Sequence, residues 1–126
     1  MSCNKEDSNI ITCDKEPIIN NQLLINSTND NLVINKIELV NDCLKINFSS
    51  AGCNDDSMEV ELISSSIMES KPPQRRLRLF LNNNENCEAL ITKEISFNIS
   101  NLKSTNNEQE VILNIDGYSN NPVLYN

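Results

Sequence analysis

Apolar and polar residues alternate with a period of two along most of this chain. Leu44, Ile46 and Phe48 are interleaved with Lys45 and Asn47, and Met58, Val60 and Leu62 with Glu59 and Glu61. Leu77, Leu79 and Leu81 alternate with Arg76, Arg78 and Phe80. Ile95, Phe97 and Ile99 repeat the pattern, as do Val111, Leu113 and Ile115. Successive side chains of a strand point to opposite faces, so this period turns one face of each segment to a core and the other to water. Leu32–Val40 reads as the first long strand. Turn-forming clusters separate the runs: Ala51-Gly52 with Asp55-Asp56, Pro72-Pro73, Asn82 to Glu85, and Asn101 to Asn107. The spacing predicts an all-β domain, an Ig-like antiparallel β-sandwich of about seven strands. No segment keeps a helical i, i+3, i+4, i+7 pattern beyond two turns, and residues 64–70 are expected to form one short helical turn.

At 126 residues the chain is a single domain. Residues 1–16 are polar and charged and read as a flexible tether, leaving residues 17–126 for the sandwich. The net charge of −8 excludes nucleic acid as a partner, because a phosphate backbone needs a basic face to release its counterions. The same charge argues against peripheral binding to anionic lipid. No segment approaches the roughly 20 consecutive apolar residues of a membrane span.

Histidine is absent, which removes Ser/His/Asp and Cys/His machinery, and two glycines are too few for a phosphate-cradling loop. Carboxylates are plentiful but sit mostly in turns and at outward strand positions. The chain is therefore read as non-catalytic, with a carboxylate-dependent hydrolase as the lesser alternative. The turn Asn54-Asp55-Asp56, with Ser57 and Glu59 nearby, lacks the spacing of a calcium loop and reads as solvated. No histidine or paired cysteine spacing suits zinc, and neither metal nor cofactor is expected. Glu59 and Glu61 on one strand and Arg76 and Arg78 on the next suggest a cross-strand charge ladder that fixes register. The segment Lys71-Pro72-Pro73-Gln74-Arg75-Arg76 gathers three cations behind two prolines in an otherwise acidic protein. Pro72, Pro73, Gln74, Arg75 and Arg76 are therefore the candidate binding loop, suited to an acidic protein or a glycan, with a stiff strand connector as the plainer reading.

Five cysteines are present: Cys3, Cys13, Cys43, Cys53 and Cys87. Ser2-Cys3-Asn4-Lys5-Glu6-Asp7, a small residue before a lone cysteine with a polar, acidic stretch behind it, resembles a bacterial lipoprotein after signal-peptide cleavage. Lys5-Glu6-Asp7 also resembles the short signal that sends Bacteroidetes lipoproteins to the cell surface. The resemblance implies a lipid anchor on Cys3, export to the outer membrane, and Met1 as a start residue placed ahead of the mature sequence. The alternative is a cytoplasmic protein beginning Met-Ser-Cys. With Cys3 lipidated, four cysteines remain in an oxidising compartment, enough for two disulfides among three pairings. Cys43 and Cys53 flank an extended run, too far apart for the roughly 4.4–6.8 Å that a disulfide allows between Cα atoms. Cys53–Cys87 at one end of the sheet is preferred, leaving Cys13–Cys43 to clip the N-terminal arm.

A second resemblance covers about half the chain. Cys43-Leu44-Lys45-Ile46, Ser50-Ala51-Gly52-Cys53, Pro72-Pro73-Gln74-Arg75, Asn84-Glu85-Asn86-Cys87-Glu88-Ala89 and Phe97-Asn98-Ile99-Ser100-Asn101-Leu102 carry it. Together they resemble an uncharacterised family of small secreted Bacteroidetes lipoproteins. That family has no assigned activity, so the resemblance implies an exported β-sandwich and no mechanism. Met58 stands where such sequences often carry an aromatic residue. The resulting expectation is a cell-envelope binding or accessory module that engages a protein or glycan through loops at one end of the sandwich, the Pro72–Arg76 loop and the Cys53 turn. A purely structural envelope protein is the alternative.

Overall fold

The computed structural model describes residues 12–27, 32–52, 59–82, 89–103 and 110–125. Among these, the chain runs β1 (Ile18–Ile19), α1 (Asn21–Asn26), β2 (Leu32–Val40), β3 (Cys43–Gly52), β4 (Glu59–Ser64), β5 (Gln74–Asn82) and β6 (Ala89–Asn98). A 3₁₀ turn at Ser100–Leu102 leads to β7 (Val111–Ile115) and β8 (Val123–Tyr125). One sheet has the order β2-β3-β6 and the other β1-β4-β5-β7-β8. The chain is thus all-β in the main, built from two sheets.

The alternation read from the sequence builds one core between them. Leu44, Ile46, Phe48 and Phe97 from the three-stranded sheet meet Leu62, Leu77, Leu79, Leu113 and Ile115 from the other, all fully buried. Each such side chain is worth about 1.5–3 kcal/mol when removed from water. The three-stranded sheet is antiparallel throughout. In the larger sheet, β1 runs parallel to β4 and β7 runs parallel to β5, which corrects the expectation of uniformly antiparallel pairing. The cause is the path of the chain. After β5 it returns along the opposite sheet as β6, so β7 starts from the end where β5 started.

β2 carries a phase slip. Leu32 and Ile34 face the core, but further along it is Ile37 and Leu39 that pack against it, because the register shifts between Ile34 and Lys36. Asn35 is the extra residue of a β-bulge, which moves the apolar set to the other parity. Its amide nitrogen donates to Asn47 Oδ1 at 2.9 Å and Ser49 Oγ at 2.8 Å. The two-residue turn Asn41-Asp42 then joins β2 to β3, with Asn41 at φ 56°. Tight hairpins ask for positive φ, and asparagine tolerates it better than most residues.

The helix falls in a place that the periodicity did not mark. Asn20 caps it, its side chain accepting the Leu23 N–H at 3.0 Å, and Leu24 is its buried residue. Residues 64–70 are not a helical turn. Ser65 N–H bonds the Arg76 carbonyl, while Met68 and Gln74 exchange backbone bonds, so β5 takes the donors a helix would have used.

The charge ladder is also corrected. Register places Glu61 opposite Phe80 and Arg78 opposite Ile63. Arg76 and Arg78 instead converge on Asp116, at 3.1 and 2.8 Å, and Glu61 pairs with Lys15 at 2.9 Å.

Three segments are tied together at the hairpin end of the sandwich. The Tyr125 hydroxyl donates to Asp42 Oδ1 at 2.6 Å, Lys103 lies 3.6 Å from the same oxygen and over the Tyr125 ring, and Ile99 N–H bonds the Asp42 carbonyl. Burial, then the hydrogen bond and the charge of Asp42, hold the Tyr125 phenol well above its ordinary value. A phenol whose folded pKa is raised keeps its proton when the unfolded chain has begun to lose it. Its contribution is whole below the unfolded value near 10 and declines as pH rises beyond it. Thermal melts from pH 8 to about 11 should show an alkaline loss of stability that is smaller in Tyr125→Phe. Equal slopes in the two proteins would dismiss Tyr125 as its source.

Candidate functional site

Cys3, Cys53 and Cys87 lie outside the described residues, as does the turn at residues 54–57. Cys13 and Cys43 are joined in a disulfide with Cα atoms 5.6 Å apart. The arm that carries Cys13 belongs to the folded body. Asp14 and Lys15 both donate their N–H to the Ser96 carbonyl on β6, and Asn98 N–H returns a bond to Lys15. Lys15 then reaches across to β4, donating to the Val60 carbonyl at 2.8 Å and pairing with Glu61. The end of the expected tether, up to residue 16, therefore spans the edges of both sheets.

The Pro72–Arg76 segment is largely drawn into β5. Pro73 is buried, and Gln74 accepts from the Asn114 amide at 3.1 Å. Arg75 is only 7% exposed, donating to the carbonyls of Leu102 at 3.0 Å and Ser65 at 2.9 Å. Burial pushes its guanidinium below its usual value. Arg76 is held by Asp116. What the segment presents to solvent is Lys71, Pro72 and part of Arg76. Residues 53–58 precede β4 whereas this segment follows it, so the two proposed loops attach at opposite ends of a strand roughly 20 Å long.

The groups left with hydrogen-bonding capacity converge elsewhere. Where the arm crosses the outer face of the three-stranded sheet, it walls a cleft of about 250 Å³. Strand parity explains the floor. Cys43 and Lys45 on β3, and Glu94 and Ser96 on β6, are positions that alternate with the core residues Leu44, Ile46, Ile95 and Phe97. Thr12 and Asp14 form the arm's wall, and Val40 adds an apolar side chain.

Asp14 and Ser96 are locked to each other. Ser96 N–H donates to Asp14 Oδ2 at 2.9 Å, its hydroxyl donates to the same oxygen at 3.2 Å, and Asp14 N–H donates to that hydroxyl at 3.0 Å. This fixes the carboxylate and leaves Oδ1 without a hydrogen bond from any described residue. Among the described residues Lys45 pairs with Glu38 alone, at 4.0 Å, and neither Glu94 nor Thr12 makes a hydrogen bond or ion pair. An acceptor pair, an ammonium and a hydroxyl thus face one concavity beside the Val40 side chain, the layout of a small-ligand site. Among the described residues no group of three or more His, Cys, Asp or Glu is placed to hold a metal.

The sequence gives no motif for this cleft. Lys45 and Glu94 are visible as outward strand positions, but Asp14 and Ser96 are 82 residues apart, and only the disulfide pairing hints that the arm crosses β3.

No protein-family model matches the chain, and no curated protein matches it in sequence. A crystal structure of a protein of unknown function, DUF1344, from Bacteroides vulgatus is similar to it in fold, with a TM-score of 0.59 and 18% identity. The match covers 89% of this chain and 54% of that one, so the chain spans about half the length of its structural neighbour. The neighbour's source and unassigned activity are compatible with an uncharacterised Bacteroidetes family.

Proposed function

We propose that this chain is a cell-envelope lipoprotein of Bacteroidetes type, anchored to the outer membrane through lipid on Cys3, whose domain acts as a non-catalytic binding or accessory module for a glycan or protein. The observation that carries the binding reading is the cleft beneath the arm, where Glu94, Thr12 and one oxygen of Asp14 converge without partners among the described residues and Lys45 has Glu38 alone, at 4.0 Å. Asp14 and Glu94 are exposed there, whereas the more buried Arg75, Arg78 and Lys15 are tied into the fold, to two carbonyls, to Asp116 and to Glu61. The anchor reading rests on the Ser2-Cys3-Asn4-Lys5-Glu6-Asp7 pattern. An Ig-like description of the sandwich is supported by two sheets about one core, with the chain crossing between them after β3 and after β5. The parallel β5–β7 ladder is its departure from that pattern.

Two measurements test this. Growth with an alkynyl fatty acid should label the protein, and Cys3→Ser should abolish the label; an unlabelled wild-type protein removes the anchor. A photo-cross-linking residue at Thr12, at the mouth of the cleft, should trap a discrete adduct in the intact envelope. The same residue at Val33, far along the sheet, should not. Absence of any Thr12 adduct favours a purely structural envelope protein.

A further inference from the structure

We infer that the cleft beneath the N-terminal arm takes a single amino-sugar unit, a hexosamine with its amine free and protonated. The inference rests on the binding reading above and names its ligand.

Volume sets the scale. A cleft of about 250 Å³, half open to solvent, has room for one six-membered ring with its substituents. Charge sets the sign. Asp14 and Glu94 face the cleft, and Lys45, the one cation of its lining, is shared with Glu38 at 4.0 Å, so the site is net negative: an uncharged or anionic sugar leaves that charge unmatched, while an ammonium offsets it. The remaining groups suit a polyol. Thr12 Oγ1 both donates and accepts, Lys45 Nζ donates, and the free oxygen of Asp14 accepts, which are the complements of ring hydroxyls. Val40 supplies an apolar surface for the C–H face of the ring.

The acceptors are also positioned in advance. Asp14 is held by the reciprocal bonds with Ser96 and by the Cys13–Cys43 disulfide next to it, so little ordering is left for the ligand to impose. A free amino acid would offer an ammonium and a carboxylate but no array of hydroxyls, and as a zwitterion it leaves the lining's excess charge unmatched.

The experiment is a titration of the intact oxidised protein with glucosamine, read by backbone amide shifts. Glucose, N-acetylglucosamine and glycine serve as comparators. Glucosamine should move the amides of Asp14, Lys45, Glu94 and Ser96 along one saturable curve. The two uncharged sugars and glycine should bind about tenfold more weakly, the loss of one charge-assisted hydrogen bond. Glu94→Gln, at an exposed position that the fold does not use, should weaken glucosamine about tenfold and leave the weak glucose response unchanged. Asn47→Asp, on the same sheet face beyond the cleft, should change neither. The inference is overturned by absent or non-saturating shifts, by equal responses to glucosamine and glucose, by a glycine response as strong, or by a neutral Glu94→Gln. A Thr12 adduct in the envelope without glucosamine binding would sink the amino sugar alone; no adduct of any kind would sink the binding reading with it.

Discussion

Removing the Cys13–Cys43 bond is expected to lower the unfolding free energy by about 3.5 kcal/mol, the chain-entropy value for a closed loop of some thirty residues. The native side adds to the effect rather than offsetting it. Cys43 is almost fully buried under the arm, and the backbone bonds from Asp14, Lys15 and Asn98 that hold the arm on β6 are few and lie at a sheet edge. Once the covalent link is gone, that edge should fray first, taking with it the wall of the cleft and the Lys15 bridge to β4. Reduction would also open any second disulfide, so Cys13→Ala is the cleaner variant. Urea unfolding of wild type and Cys13→Ala, both without reductant, measures the difference. Amide exchange should speed up at Ser96 to Asn98 well before it does at Leu44 to Phe48. A change below about 1 kcal/mol would mean that the arm holds itself in place without the bridge.

Arg78→Ala should cost about 3 kcal/mol, in the range for breaking an ion pair that is largely removed from water. The side chain has three partner residues. Nη1 donates to the carbonyls of Leu24 at 2.6 Å and Ser27 at 2.5 Å, while Nε and Nη2 hold Asp116 Oδ2 at 2.9 and 2.8 Å. It thus closes the C-terminal end of α1, where carbonyls lack partners within the helix, and pins the helix over Ile63. Alanine leaves Asp116 with only the more exposed Arg76 and strips two carbonyls of their donor. Lysine should recover little, since one ammonium on a flexible stem cannot face the helix and the carboxylate at once as the guanidinium fork does. Differential scanning calorimetry on Arg78→Ala and Arg78→Lys, with backbone shifts of residues 21–27, tests both halves. If lysine restored the wild-type transition, simple charge balance would account for the residue.

The strands were legible because each carries its own alternation, and β3 to β7 lie where the period places them. What defeated the reading was information carried between segments. The six-residue α1 is too short to show a helical period, and Asn20, its cap, is one asparagine among many. The apolar pattern of β2 changes parity after Ile34, a bulge signal that a strand read as one run conceals. Glu59, Glu61, Arg76 and Arg78 obeyed the alternation, yet register and the arrival of Asp116 from β7 decided whom the arginines met. Parallel pairing of β7 with β5 depends on the route through the other sheet, which no local spacing encodes. The Pro72–Arg76 cations stood out for their chemistry, but an arginine's donors serve carbonyls as readily as ligands, and Arg75 spends them on Ser65 and Leu102. The cleft was least legible of all, because it is assembled from the arm, β2, β3 and β6.

The way the arm enters the domain also determines how the molecule carries load. A pull on the N-terminal segment does not peel the arm from β6. It passes through the sulfur bridge at Cys13 into Cys43, the first residue of β3, which is the central strand of its sheet and is laddered on both sides to β2 and β6. Force delivered there loads two ladders together, instead of opening a few edge bonds in turn. A domain held by a tether in a moving medium would have its grip at the middle of a sheet, with Asp14 and the arm beyond it spared because the bridge bears the tension.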